Sequence, residues 1–142
     1  MKDTKTIEVR VERSIPASTR AVFDGWLNPK VPGTPWNIAD KLLFNPKVDG
    51  FFYWNFKGTP HYGRFTEIER PGRLQHTWMS PNTAGLESLV TVTFKEQGDG
   101  TLMTLVHSNL PESDAGRGHD KGWNYFLGMF LEQIAADSRK SQ

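Results

Sequence analysis

The sequence predicts a single α+β domain, residues 1–142, in which a curved antiparallel sheet wraps around a long C-terminal helix. Short runs of alternating or β-branched residues, separated by turn residues, fill most of the chain and predict antiparallel strands without crossover helices. Near the C-terminus the spacing of apolar residues changes to that of a helix with one apolar face. A chain of 142 residues suits one domain and is long enough to bury a sizeable core.

The N-terminal segment predicts a strand followed by a helix. Ile7, Val9 and Val11 alternate with charged residues, as in a strand that is buried on one face. From residue 18 to residue 27 the apolar side chains follow helical spacing. Asn28-Pro29 then ends this helix, because proline has no backbone N–H to continue the hydrogen-bond pattern.

The next stretch, VPGTPWNIAD, carries two prolines and a glycine around Trp36. It predicts either a second helical turn or a loop that places this indole in the interior. Six β-type runs follow, separated by turn residues such as Asp49-Gly50 and Pro71-Gly72. The predicted strands are LLFNPKV, FFYWNF, YGRFTEIE, RLQHTWM, SLVTVTFKE and TLMTLVHSNL.

The C-terminal segment predicts one long amphipathic helix from about His119 to Ser138. Its apolar residues recur at i, i+3, i+4, i+7, i+8 and i+11, which places them on one face. At 1.5 Å per residue this helix is about 30 Å long, so it can cover the whole sheet. The stripe consists of Trp123, Phe126, Leu127, Phe130, Leu131 and Ile134.

Charge and composition exclude several kinds of partner and chemistry. The formal net charge is +1 and the charges are interspersed, which is not the pattern of a protein that binds nucleic acid or an anionic membrane. Cysteine is absent, so disulfides, thiol nucleophiles and cysteine-based metal sites are excluded. The N-terminus lacks the continuous apolar stretch of a signal peptide or membrane span. We therefore expect a cytoplasmic protein that is a monomer or a weak dimer.

Five long motifs resemble those of one known superfamily. They are IEVRVERSIPASTRAVFDGWLNP, DGFFYWNF, GRFTEIERPGRLQHTW, VTVTFKEQGDGTLMTLVHSNLP and HDKGWNYFLGMFLEQI. Together they resemble the START-like or SRPBCC superfamily, and within it the Aha1-type domains named after the activator of the heat-shock-protein ATPase. The resemblance implies the helix-grip fold, β-α-α-β(6)-α. It does not imply one function, because this superfamily includes co-chaperone domains, binders of lipids and polyketides, an antibiotic-resistance protein and a few enzymes.

In a helix-grip fold the resemblance implies that the inward face of the sheet and the helix stripe line a cavity. Alternation along the strands places large apolar side chains on that face, and two interpretations stay open: they line a ligand cavity, or they pack tightly as core. Met103 is expected to border any void, because methionine fills irregular gaps. The predicted ligand-binding residues are Trp36, Phe52, Trp54, Phe56, His76, Trp78, Val92, Met103, Leu105, His107, Trp123, Phe126, Leu127 and Phe130.

His76 and His107 are the ionisable residues of the predicted inward face. A histidine there could orient a ligand or act as acid and base; alternatively it is a buried neutral ring bonded to a backbone carbonyl. On the same strand face neither has a Ser, Asp or Glu placed as a catalytic triad requires, although a neighbouring strand could supply one. The sequence contains no HxH or HExxH motif, so we expect no metal and no cofactor.

Trp123 follows a glycine at the start of the long helix, and its indole could cap the cavity mouth or anchor the helix on the sheet. Three functions are compatible with these patterns. The first is the binding of a small hydrophobic or aromatic ligand in the cavity. The alternatives are a co-chaperone-like module that contacts a protein partner, and an enzyme of the cyclase or hydrolase type that uses the same cavity.

Overall fold

The computed structural model describes residues 5–140. Seven strands form one antiparallel sheet, with one helix after the first strand and two helices after the last strand. The elements in chain order are β1 (Thr6–Ile15), α1 (Thr19–Trp26), β2 (Lys41–Phe44), β3 (Phe51–Phe56), β4 (Thr59–Glu69), β5 (Arg73–Trp78), a 3₁₀ helix (Pro81–Thr83), β6 (Ser88–Gln97), β7 (Gly100–Pro111), α2 (Asp114–Arg117) and α3 (His119–Lys140).

The sheet order, β1-β7-β6-β5-β4-β3-β2, confirms the predicted antiparallel α+β fold. Consecutive strands from β2 to β7 pair as a meander, and β1 closes the far edge by pairing with β7. The pairing register shifts between Ile7 and Val9 in β1, and between Phe65 and Glu67 in β4. Irregularities of this kind bend and twist a strand, which lets the sheet curve around α3.

The first helix forms as the sequence predicts. The side chain of Ser18 accepts a hydrogen bond from the backbone N–H of Ala21 and caps the N-terminus. Val22, Phe23 and Trp26 form the buried face of α1. The ring of Trp26 packs edge-on against Phe130 of α3, with ring centroids 5.3 Å apart. The short helix α1 therefore helps to fill the space between the sheet and α3.

The predicted second helix does not form. Residues 28–40 make a series of turns instead, because Pro32 and Pro35 lack backbone N–H groups and disfavour helical geometry in the residues before them. The alternative prediction, a loop that buries one indole, is confirmed, since Trp36 is only 2% exposed. A short helix that the sequence did not predict, α2, directly precedes α3.

The predicted inward face of the sheet is buried, apart from the partly buried Phe56. α3 begins at His119 as predicted, and its apolar stripe faces this surface, with Leu131 only half-buried. Within residues 5–140, no helix has the length and apolarity needed to cross a membrane. The buried residues of the predicted sheet face are Phe52, Trp54, Leu74, His76, Trp78, Val90, Val92, Phe94, Met103, Leu105 and His107.

The loop of residues 28–40 packs directly on the backbone of α3. Gly33 has a φ of 96°, and a Cβ atom at this position would lie 2.7 Å from the backbone nitrogen of Phe130. Backbone atoms of a helix cannot move aside as a flexible side chain can, so only glycine allows this approach. The contact holds the loop, and with it Trp36, against the helix.

We expect Gly33→Ala to destabilise the fold more than a matched substitution at Gly58. Both glycines have positive φ, but a Cβ atom at Gly58 would meet nothing within 4 Å. Gly58→Ala therefore carries backbone strain alone, about 1–3 kcal/mol. Gly33→Ala adds a steric clash with α3. Overpacking of this kind typically lowers the free energy of unfolding by about 1–3 kcal/mol more. Urea denaturation measures both losses, and equal values would contradict the close packing of loop and helix.

Candidate functional site

The space between the inward face of the sheet and α3 is called the grip below. A cavity of about 470 Å³ lies at one end of the grip, between the β3–β4 hairpin, the 3₁₀ helix and the junction of α2 with α3. Its volume is in the range of small-molecule sites, about 300–1,000 Å³. The wall combines large aromatic rings with a few polar side chains and three residues without a bulky side chain. It consists of Trp54, Phe56, Lys57, Thr59, His61, Trp78, Asn82, Ala115, Gly118, His119, Gly122, Trp123 and Phe126.

Five of the predicted ligand-binding residues form the aromatic part of this wall. The indoles of Trp54 and Trp78 are 5.4 Å apart between ring centroids, and Trp78 lies 5.1 Å from Trp123. Phe56 stacks on Trp54 at 5.5 Å, and Phe126 meets Trp54 edge-on at 6.0 Å. Each ring packs against at least one other ring. The wall is therefore a continuous apolar surface whose side chains have little freedom to rotate.

The other predicted site residues lie in the packed interior and do not contribute to the cavity wall. The middle of the grip is filled by Trp36, whose ring packs against Phe44, Phe52 and His76 at 4.7, 5.1 and 5.9 Å. Empty space is therefore left at the end of the grip, away from Met103, which is fully buried. The interior residues are Trp36, Phe52, His76, Val92, Met103, Leu105, His107, Leu127 and Phe130.

His61 is the most deeply buried of the cavity residues that sequence reasoning missed, among which His119 is the other histidine. The sequence predicts a strand from Tyr62, since Gly58 and Pro60 are typical turn residues, whereas β4 begins at Thr59. Extending the alternation of this strand backwards would have found it, since His61, Gly63 and Phe65 are all buried on the inward face. The strand pairing places His61 directly opposite Trp54.

The ring of His61 is buried between two indoles. It is 6% exposed, and its centroid lies 4.4 Å from that of Trp54 and 5.0 Å from that of Trp78. Nδ1 lies 3.1 Å from the carbonyl oxygen of Thr59, and the ring also forms a hydrogen bond with the backbone of Trp54. Burial lowers the pKa of His61 from 6.5 to about 4, although hydrogen bonds to backbone carbonyls oppose this.

His119 presents a second neutral imidazole to the cavity. Its Nδ1 donates to the carbonyl oxygens of Ala115 and Gly116, at 3.0 and 3.1 Å, so Nε2 carries the lone pair. Burial lowers the pKa of His119. In the described part of the chain, no three His, Asp or Glu side chains are placed to hold a metal ion. His61 and His119 therefore add two uncharged imidazole rings to the cavity wall.

Behind the cavity wall, His107 links α3 to the sheet through a chain of three hydrogen bonds. The indole N–H of Trp123 donates to Nδ1 of His107 over 3.0 Å. Indole is a donor only, so the neutral ring carries its proton on Nε2 and donates it to Oγ of Ser88 over 2.7 Å. Ser88 in turn donates to the carbonyl oxygen of Trp78 over 2.6 Å. Burial, with the charges of two neighbouring histidines, lowers the pKa of His107 to about 2.

Ser88 is a serine on a neighbouring strand that contacts His107, a possibility that the sequence analysis left open. The hydrogen bond between them, however, runs in the opposite direction to that of a catalytic Ser–His pair. A nucleophilic serine donates its proton to the unprotonated Nε2 of a histidine. Here Trp123 occupies Nδ1, Nε2 is the donor, and the hydroxyl proton of Ser88 goes to a backbone carbonyl. Both side chains are fully buried. The pair stabilises the fold and has no free nucleophile.

Comparison with known proteins gives the family. Residues 16–136 match the family described as activator of Hsp90 ATPase homolog 1-like protein. The chain belongs to this family. The match covers most of the sequence and confirms the resemblance found in its motifs. A comparison with curated protein sequences gives no match.

Solved structures share the fold of this family member at low sequence identity. A protein from Mesorhizobium loti is 24% identical, with a TM-score of 0.77 over 92% of this chain and 98% of that chain. An Hsp90 activator from Plasmodium falciparum is 22% identical, with a TM-score of 0.72 over 86% and 91% of the two chains. The Aha1 dimer from Colwellia psychrerythraea is 14% identical, with a TM-score of 0.72 over 91% and 98%. These likenesses support the helix-grip fold.

The buried histidines predict that this family member loses stability in mild acid. Burial lowers the pKa of His76 from 6.5 to about 4, and the pKa of His107 lies lower still. Between pH 6.5 and 4 the unfolded chain therefore binds these protons and the folded chain does not. The free energy of unfolding should fall as the pH falls through this window, by about 1.4 kcal/mol per pH unit for each buried histidine.

Urea denaturation at a series of pH values measures this slope. In His76→Gln one titrating group is gone, so the slope should decrease by about 1.4 kcal/mol per pH unit between pH 6 and 5. A free energy of unfolding that does not change with pH in the unsubstituted protein would contradict the burial of neutral histidines.

Proposed function

We propose that this protein binds a small, apolar, aromatic ligand in the cavity at the end of the grip. The observation that carries the proposal is the wall itself, where five aromatic side chains and two neutral histidines face one space of about 470 Å³. Ligand sites are typically apolar clefts with a few placed polar groups, and this cavity has that composition.

The walls come from elements that the fold holds rigidly. Trp54 donates its indole N–H to the carbonyl oxygen of Pro35 over 2.6 Å, which ties the cavity floor to the loop of residues 28–40. Trp123 is held by His107. A preformed wall loses little conformational entropy when a flat ligand packs against it, which favours binding. A cytoplasmic location remains a prediction.

A second candidate function, contact with a protein partner, is favoured by the outer face of the sheet. Leu43, Phe51 and Tyr62 are 61%, 69% and 47% exposed. Together with neighbouring residues they line a groove of about 340 Å³ on the side of the sheet opposite α3. Exposed apolar surface of this kind often marks an interaction site. This function and ligand binding use different faces, so they are separable by substitution.

The binding proposal is tested by filling the cavity at Gly122. A Cβ atom there meets nothing within 4 Å, and Gly122 is part of the cavity wall. Gly122→Leu should place its side chain in the ligand space and weaken binding of naphthalene at least about tenfold, since a steric overlap exceeds 1.4 kcal/mol. NMR of the indole N–H groups reports binding, and the signals of Trp54, Trp78 and Trp123 should shift.

Gly128→Leu is the matched control. Gly128 is also in α3 and also has free space around it, but it is not part of the cavity wall. Both substitutions replace a helical glycine and should stabilise the helix slightly. Naphthalene should bind Gly128→Leu as it binds the unsubstituted protein. If naphthalene shifts none of the three indole signals in the unsubstituted protein, the binding proposal fails and contact with a protein partner becomes the better candidate.

A further inference from the structure

We propose that the aromatic ligand of the cavity carries one carboxylate at its edge, and that the ammonium group of Lys57 binds this carboxylate at the cavity mouth. The inference rests on the proposed ligand-binding function and specifies the chemistry of its ligand. It starts from the charges around the cavity. Among the described residues of the cavity wall, Lys57 is the one Lys or Arg, and neither Asp nor Glu is present.

The charge of Lys57 is not paired within the protein. No Asp or Glu in the described part of the chain forms an ion pair with it. Asp40 contacts Lys57 through the backbone instead, where its Oδ2 accepts a hydrogen bond from the N–H of Lys57 over 2.7 Å. Burial lowers the pKa of His61 and of His119, so at neutral pH these rings add no charge to the wall. A ligand anion can therefore pair with Lys57 without displacing a protein carboxylate from it.

The turn that carries Lys57 is not one that favours lysine. Phe56 pairs directly with Thr59, so Lys57 and Gly58 form a two-residue hairpin loop. Their φ values are 52° and 82°, and a two-residue turn with positive φ at both positions favours Asn, Asp or Gly at the first. Lysine in this conformation carries backbone strain. Strain of this kind at the mouth of a cavity indicates that the side chain has a function there.

The ammonium group lies where the edge of a bound ring would reach it. Nζ of Lys57 is 5.2 Å from the centroid of the Phe56 ring, and Phe56 stacks on Trp54 within the cavity wall. A flat ligand that packs on these two rings and extends past Phe56 brings a substituent at its edge to Nζ. Lys57 is exposed, so a carboxylate bound there keeps part of its hydration and loses little solvation energy.

A carboxylate deeper in the cavity would be unfavourable, which fixes the orientation of the ligand. The inner wall is formed by aromatic rings, and Nε2 of His119 carries a lone pair that repels an anion. The charge balance also limits the anion. One lysine compensates a single negative charge, whereas a dianion such as a phosphate monoester would keep one charge unpaired. The structure therefore favours a ring in the cavity and one carboxylate at its mouth.

The test compares 2-naphthoate with 2-naphthamide, which has the same ring system and nearly the same shape but no charge. Titrations at pH 7, where the carboxylic acid is ionised, follow the indole N–H signals of Trp54, Trp78 and Trp123. At an ionic strength of about 0.01 M the unsubstituted protein should bind 2-naphthoate about two- to fivefold more tightly, as expected for an exposed ion pair. At about 1 M this preference should disappear, because salt screens an exposed charge.

Substitution assigns the preference to one side chain. Lys57→Met keeps an alkyl chain next to Phe56 and should bind both compounds equally, with its affinity for 2-naphthamide unchanged. Lys57→Glu should reverse the preference. Lys95→Glu is the matched control, since it changes the net charge by the same amount from the outer face of the sheet, away from the cavity wall. Its preference for 2-naphthoate should remain. A preference that persists in Lys57→Glu, or that is lost in Lys95→Glu to the same extent, would overturn the assignment to Lys57.

Failure of this inference differs from failure of the proposed function. If both compounds bind the unsubstituted protein equally at low ionic strength, the carboxylate preference is wrong and the ligand-binding function stands. If neither compound, nor naphthalene, shifts an indole signal, the ligand-binding function fails and the inference fails with it.

Discussion

The hydrogen bond from Trp123 to His107 is the constraint on which the rest of the site depends. It joins the start of α3 to β7, and the bonds through Ser88 extend the link to β6 and to Trp78 on β5. Each bond in this chain has one possible direction, because indole can only donate and a carbonyl can only accept. Reversing any one bond would leave a buried polar group unpaired, which costs about 1–3 kcal/mol. The chain therefore specifies one position of the helix relative to the sheet.

That position leaves the cavity at one end of the grip. The chain holds Trp123 by its indole N–H and Trp78 by its backbone carbonyl oxygen, and the indoles of both residues form part of the cavity wall. In the middle of the grip Trp36 fills the space that an open cavity would need. The same network that shapes the cavity also prevents Ser88 from acting as a nucleophile. The rigid apolar wall is the feature that supports the binding proposal.

Periodicity in the sequence was enough to predict the strands, α3 and the burial of its apolar stripe, because each of these depends on local spacing. It could not locate the void, since alternation assigns a side chain to a face and not to a position along the grip. Trp36 was therefore predicted to line a cavity that it helps to fill. His61 was missed because Pro60 suggested a turn, although β4 continues through it. The contact between Ser88 and His107 depends on the register between two neighbouring strands, and this register cannot be deduced from the sequence.

The protonation state of His107 tests the central claim most directly. In ¹⁵N NMR of the folded protein, Nε2 of His107 should carry the proton and Nδ1 should have the chemical shift of a hydrogen-bonded acceptor. The pKa of about 2 predicts that both resonances stay constant as the pH is lowered from 7 towards the point of acid unfolding. A His107 ring that is protonated on Nδ1, or that titrates near its ordinary value of about 6.5, would contradict the account.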